Sequence, residues 1–195
     1  MSLADALIQA AAAGGGDSSD FDLNPGFVLP EGRVLRQAGV LVVVIDGGRP
    51  AVLLTKRSSR LKHHPGQIAF PGGKVDPGDD GPVAAALREA EEEVGLPRDA
   101  AEVLGTLPAH ETVTGFTVTP VLARVASPFQ PVPEAGEVDE VFTVPLAHLA
   151  DRANYAVQSR VWRGQRRFYY TVPYGPYYIW GATARILRGL AERLA

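Results

Sequence analysis

The 195-residue sequence contains no cysteine. That absence excludes disulfides, thiolate zinc sites and cysteine nucleophiles, so any metal must be held by oxygen or by one of the four histidines. Long apolar runs are missing as well. The longest, Ala38 to Ile45, falls far short of the roughly 20 residues of a spanning helix, and no membrane association is expected. Nor is there an excess of positive charge: 19 Lys and Arg against 22 Asp and Glu give a formal net charge of −3. A chain so balanced offers no footprint for duplex nucleic acid. The first residues carry Asp5 and no Lys or Arg ahead of an alanine run. A secretory signal begins with a basic segment, so a cytoplasmic location is expected.

What is present describes a globular chain, because 46% hydrophobic and 21% charged residues suffice for a sizeable core. Cations are uneven along it: Lys56, Arg57, Arg60 and Lys62 crowd together with His63 and His64. Such a local cluster leaves a polyanionic substrate open.

Residues Leu3 to Ala12 read as a short helix, and Gly14-Gly-Gly-Asp-Ser-Ser-Asp after them as a flexible linker. These form an N-terminal segment, 1–21, ahead of a domain proper at 22–195. Val40 to Ile45 and Ala51 to Lys56 are β-rich runs around Asp46-Gly-Gly-Arg-Pro50, a predicted hairpin. Gln67 to Phe70 reads as a short strand stopped by Pro71-Gly72-Gly73. Pro82 to Val94 is strongly helical, with proline at its start and Gly95 just past its end. Phe116 to Ala123 alternates with period two, the pattern of a half-exposed strand, and Val138 to Val144 is another strand. Tyr155 to Trp162 and Phe168 to Val172 flank Arg163-Gly-Gln-Arg166 as a second hairpin, and Ile186, Leu187, Leu190 and Leu194 line one face of a closing helix. The order lacks strict βαβ alternation, so the fold class is α/β (α+β), a mixed sheet with helices packed on it.

On the central helix Val83, Ala86, Leu87, Ala90 and Val94 form an apolar stripe, while Glu89, Glu92 and Glu93 share another face. Three carboxylates in the last turns repel one another and the helix dipole. An isolated acidic triplet is more often a solvated charge run. A hard divalent cation would instead convert the repulsion into coordination. Arg88 stands beside Glu92 at i+4, and Gly72-Gly73 upstream lets backbone approach a ligand closely.

These residues resemble the Nudix hydrolase signature, G-x5-E-x7-R-E-U-x-E-E-x-G-U with U aliphatic. Arg88-Glu-Ala-Glu-Glu-Glu-Val-Gly-Leu96 matches its second half, and Gly73 its first residue. The first half departs from the pattern: five intervening residues lead from Gly73 to Asp79, which is one position further from Arg88 than the pattern has its glutamate, whereas Asp80 has the right spacing from Arg88. A narrower resemblance lies upstream, to the coenzyme A pyrophosphatases of the same family. Their signature L-L-T-x-R-[SA]-x3-R-x3-G-x3-F-P-G-G is fitted by Leu53-Leu-Thr-Lys-Arg57-Ser58 through Gly66 to Phe70-Pro-Gly-Gly73, with Lys62 in place of arginine. That exchange keeps the charge and loses the bidentate fork.

The resemblance implies a Nudix-like α/β/α sandwich with a mixed β-sheet and a magnesium or manganese cofactor. It also implies cleavage of coenzyme A or its derivatives to adenosine 3′,5′-bisphosphate and 4′-phosphopantetheine. Glu89, Glu93, Glu92 and the Gly73 carbonyl would hold metal, Glu92 could serve as base, and Arg88 would orient the carboxylates. Arg57, Lys62, Gly66 and Phe70 would meet the substrate. Glu137, in the acidic stretch Pro133 to Glu140, is a candidate general base, and His110 another, although a loop carboxylate is more often solvated and a lone histidine more often structural. His63 and His64 could pair with phosphate or end a turn. Tyr169, Tyr170, Tyr174, Tyr177, Tyr178 and Trp180 could wall a pocket or fill the core. A different nucleoside diphosphate derivative, or a binding module without turnover, are the competing readings, and pairing with a second copy in a homodimer stays open.

Overall fold

The molecule is seen in a computed structural model that describes every residue except Met1, Val28, Pro30, Pro128 and Arg163. Alternation along the central strands decides the architecture. In β2 (Arg36–Ile45), Val42 and Val44 enter one buried cluster while Leu41 and Val43 enter a second on the opposite face. In β3 (Ala51–Arg57), Val52 and Leu54 join the first and Leu53 the second. A sheet that is apolar on both faces must be covered on both. The first face is covered by α1 (Leu3–Ala12), α3 (Leu146–Ala150) and α4 (Gly181–Leu194) through Leu7, Leu149 and Leu187. The second is covered by α2 (Gly81–Val94) through Ala86, Ala90 and Val94. The result is an α/β/α sandwich.

The remaining strands are β1 (Ser18–Ser19), β4 (Ile68–Ala69), β5 (Gly72–Lys74), β6 (Glu102–Thr106), β7 (His110–Glu111), β8 (Phe116–Val125), β9 (Val138–Pro145), β10 (Ala156–Trp162) and β11 (Gln165–Thr171). The main sheet is mixed: β8 runs parallel to β2 and antiparallel to β6 and β7, and β3 is antiparallel to β2, β4 and β9. Both predicted hairpins form, β2 with β3 and β10 with β11. Arg163, in the second hairpin's turn, lies outside the described residues.

Four features differ from the sequence reading. Ser18 and Ser19, read as linker, pair in parallel with His110 and Glu111, and α1 is fixed into the first core by Leu7 and Ala10. The helix and the domain therefore share one core. Strand β8 is buried on both faces, Val118 and Leu122 on one and Val121 and Ala123 on the other, because the α1 and α4 layer covers the first face and α2 the second. The chain does not leave the sheet at Pro71-Gly72-Gly73: it moves from the edge of β3 to β2, where Gly72 and Gly73 pair with Val40 and Gly39. Gly72, at φ +153°, makes this contact, since a Cβ there would lie 2.4 Å from the Gly39 carbonyl oxygen. Phe70, expected at the substrate, is a core residue only 4% exposed.

Candidate active site

Helix α2 ends where Gly95 adopts φ +69°, a left-handed turn that glycine makes without a Cβ penalty. At about 100° per residue, Glu93 falls about 40° to one side of Glu89 and Glu92 about 60° to the other. That divergence separates the three motif glutamates. Glu93 turns inward and is 4% exposed, accepting a hydrogen bond from the Gly72 amide at 3.1 Å. Glu92 turns outward with its side chain 56% exposed and bonds Arg88 at 3.0 Å.

Gly73 runs beneath Glu89: a Cβ built on it would lie 2.4 Å from Glu89 Oε1. Arg88 is the hub of the polar face. Its Nη1 donates to Glu89 and Glu92, each at 3.0 Å, and its Nε and Nη2 donate to the two carboxylate oxygens of Asp79, each at 2.9 Å. Asp79, not Asp80, therefore takes the acidic place in the loop. Those bonds, with one from the Asp76 amide, hold the Asp79 carboxyl down at about 2.

The third carboxylate comes from the loop ahead of β9. Oxygens of Glu89, Glu93 and Glu137 lie within 4.8 Å of one another. The loop is tied to α2 itself, with Val132 N–H donating to the Val94 carbonyl and Glu134 N–H to that of Glu93, both at 2.9 Å. It is also tied to the turn after β3. Ser58 N–H donates to the Glu137 carbonyl at 2.8 Å, Ser59 N–H to Asp139 at 2.9 Å, and the Arg60 guanidinium to the Ala135 carbonyl. Glu137 is thus brought to Glu89 and Glu93 by two sets of backbone contacts.

Burial outweighs the positive charge that reaches the cluster. Burial pushes the Glu93 carboxyl up to about 7, and Glu89 and Glu137 push in the same direction against the Gly72 amide and Arg57. Burial also raises Glu89, against the bond and charge of Arg88, with Glu92 and Glu137 adding to the rise. Three converging carboxylates, one of them buried, form a hard oxygen donor set that fits a divalent cation.

Glu92 stands apart from this group, since its carboxylate faces Arg88 and solvent; the sequence reading had it as a ligand. Arg57 follows a register shift in β3 after Lys56, and its Nε is buried with no hydrogen-bond partner among the described residues. Lys62 is exposed in the loop after β3. Gly66, at φ +70°, turns that loop so that its amide donates to the Arg57 carbonyl at 3.0 Å. Burial and the charges of Arg57 and His63 lower the pKa of His64. His110 is fully buried, with Nδ1 2.9 Å from Ser18 Oγ and Nε2 3.1 Å from Asp20 Oδ1. Its register partner Val118 belongs to the first core, across the sheet from α2. That placement removes it as a base. Tyr170, Tyr174 and Tyr177 also pack against the first core.

Sequence reasoning left Asp79 undecided and missed Arg60 as the clamp on the Glu137 loop. The five-residue spacing from Gly73 pointed to the former; nothing local pointed to the latter.

A NUDIX domain family model matches residues 35–165, and the chain belongs to the Nudix family. It is 44% identical over 159 residues to the uncharacterized Nudix hydrolase NudL of Citrobacter koseri, covering 82% of this chain and 83% of that protein. The protein of the same description from Escherichia coli (strain K12) gives the same identity and coverage. Among solved structures, a Nudix hydrolase from M. smegmatis, RenU, is 30% identical, with a TM-score of 0.50 over 63% of this chain and 84% of that one. A MutT/nudix family protein from Enterococcus faecalis, 17% identical with a TM-score of 0.55, covers 87% of this chain and 66% of that one; it shares the fold. The chain is a Nudix hydrolase, acting on pyrophosphate bonds, and members of the family generally use divalent metal ions.

Proposed function

We propose that this Nudix hydrolase cleaves the pyrophosphate of coenzyme A or its derivatives, releasing adenosine 3′,5′-bisphosphate and 4′-phosphopantetheine. The observation that carries the reading is Arg57. It stands where the coenzyme A pyrophosphatase signature has arginine, its charge acts on Glu93, and its buried Nε has no acceptor among the described residues. A buried guanidinium N–H with no acceptor is a costly arrangement unless a phosphate completes it.

Glu89 and Glu93 would hold magnesium or manganese, with Gly73 leaving room for the Glu89 carboxylate and Glu137 close beside them. Bound there, the ion supplies positive charge to the pyrophosphate oxygens and lowers the barrier to attack by water. Arg57 binds and orients the phosphate. Arg88, anchored by Asp79, holds Glu89 and Glu92 in place without touching substrate. The proton lost by the attacking water goes to a carboxylate oxygen, and exposed Glu137 is the group proposed to receive it. Lys62, exposed in the loop after β3, is the second cation proposed to meet the substrate's phosphates.

Purified protein incubated with magnesium and a panel of pyrophosphates, with products resolved by mass, tests the reading. The panel comprises coenzyme A, its acyl and oxidised forms, a nucleotide sugar, a dinucleotide and a nucleoside triphosphate. Formation of the two phosphorylated halves from coenzyme A, fastest among the panel, is the expected result. Turnover of another member with coenzyme A left intact overturns the substrate and retains the chemistry.

A further inference from the structure

On the face of the sheet away from the carboxylates, a half-open cavity of about 330 Å³ lies between the Gly14–Gly16 segment and α4. Its position is set by Leu107 and Ile186, which line it and belong to the first core. From this cavity we infer a second ligand site, one that takes a small organic phosphate, a phosphate monoester with a compact apolar body.

The charge in the cavity is Arg193. Its Nη1 donates to the Gly189 carbonyl at 2.7 Å, while its Nε is buried and has no partner among the described residues. A guanidinium presents five donors in a planar fork matched to phosphate oxygens. The other charges at the cavity are already balanced: Arg185 bonds Asp22 at 3.1 Å, and Glu192 bonds Arg188 at 3.1 Å. The carbonyl end of α4 adds partial negative charge, which a cation in its last turn offsets. Arg193 is left as the cation able to receive an anion.

The glycine segment completes the chemistry. A Cβ on Gly15 would lie 2.5 Å from Arg193 Nη2, so the guanidinium rests against that backbone; Gly14 and Gly16 face open space. Among the described residues the amides of Gly14, Gly15 and Gly16 donate to no protein acceptor. Free amides in an extended glycine segment beside an arginine are donors that a phosphate group can accept from. Leu107, Pro108 and Ile186 form an apolar wall for the rest of the molecule, and the volume falls at the small end of ligand pockets.

The test is a titration of the full chain, in the presence of chelator, with phenyl phosphate, inorganic phosphate and benzoate, reading the Nε–Hε resonances of the arginines. The Arg193 signal is expected to shift with phenyl phosphate, which should bind at least about tenfold more tightly than inorganic phosphate or benzoate. Arg193→Gln and Gly15→Ala should each weaken it about tenfold or more, whereas Glu93→Gln should leave it unchanged. Neither Arg193→Gln nor Gly15→Ala should alter pyrophosphate hydrolysis. Gly15→Ala acts chiefly by displacing the guanidinium, so it decides the matter even if Arg193→Gln folds poorly. An Arg193 signal that does not move at millimolar phenyl phosphate, or affinity retained in Gly15→Ala, overturns the site.

Discussion

Arg88 grips Asp79 with two parallel hydrogen bonds, Nε to Oδ1 and Nη2 to Oδ2, both at 2.9 Å. The aspartate's side chain is 6% exposed, and the same guanidinium reaches Glu89 and Glu92 from its remaining edge. A carboxylate shorter by one methylene than the family's glutamate thus anchors the arginine from a loop longer by one residue.

Asp79→Asn is expected to loosen Arg88 and lower kcat more than it changes KM, because the residue holds the carboxylates and not the substrate. The pH dependence of stability should change too. The folded carboxyl lies near 2 against an ordinary 3.8, so the pairing stabilises the fold above about pH 4 and is lost as pH falls through about 2. Melting temperature against pH should therefore fall less steeply on the acid side in Asp79→Asn. Identical acid limbs for the two proteins would show that the pair does not bear on stability.

Gly73→Ala places a methyl group where the Glu89 carboxylate now lies, 2.4 Å from Oε1. Turnover should fall about tenfold or more through displaced ligation, with a small change in melting temperature, since a side chain end can yield. Full activity at low magnesium would remove Glu89 from the cation site.

In Glu93→Gln the amide fills the same space and binds a hard cation poorly. We expect a loss of about 100-fold or more in turnover, together with loss of the rise in melting temperature that magnesium gives the wild type. A variant that still gained stability from magnesium would show that the ion lies elsewhere.

Arg57→Ala should reduce kcat/KM for coenzyme A more than for the analogue lacking the 3′-phosphate, if the guanidinium pairs with that extra dianion. The ratio of the two losses is the measurement. Equal losses would assign Arg57 to the pyrophosphate itself.

Replacing His110 by Gln, away from the carboxylates, should cost about 1–3 kcal/mol of stability by leaving Ser18 or Asp20 without a partner, while kcat and its pH profile stay as in the wild type. A shifted profile would return this histidine to the chemistry.

The elements legible in the sequence are those specified by neighbours. Pro82 and Gly95 bracket α2, and the alternation of Val42, Val43 and Val44 marks β2 because each side chain has an apolar layer to enter. The pairing of Glu89 with Glu93 follows from helical geometry alone. What escaped depends on distant contacts. Ser18 is a strand residue only because His110 is beside it, and the burial of Phe70 depends on α4-side packing that no local pattern encodes. Glu137 could be guessed only as one acid among several between Glu134 and Glu140. Its selection comes from the Ser58 and Arg60 contacts and from the amides that bind the end of α2.

The parallel pairing of β2 with β8 also governs when the molecule can become itself. Each of its ten pairs, from Arg36 with Phe116 to Ile45 with Val125, joins residues eighty positions apart. Such non-local pairing slows folding, since a long loop must close before any contact rewards it. Helix α2 lies within that loop. On a ribosome the acidic helix is therefore made before the sheet that buries its apolar face is complete, and Glu137 emerges later still. During that interval the apolar stripe of α2 is exposed to other chains. The yield of folded protein should accordingly respond to synthesis rate and to holdase chaperones more than its final stability would indicate.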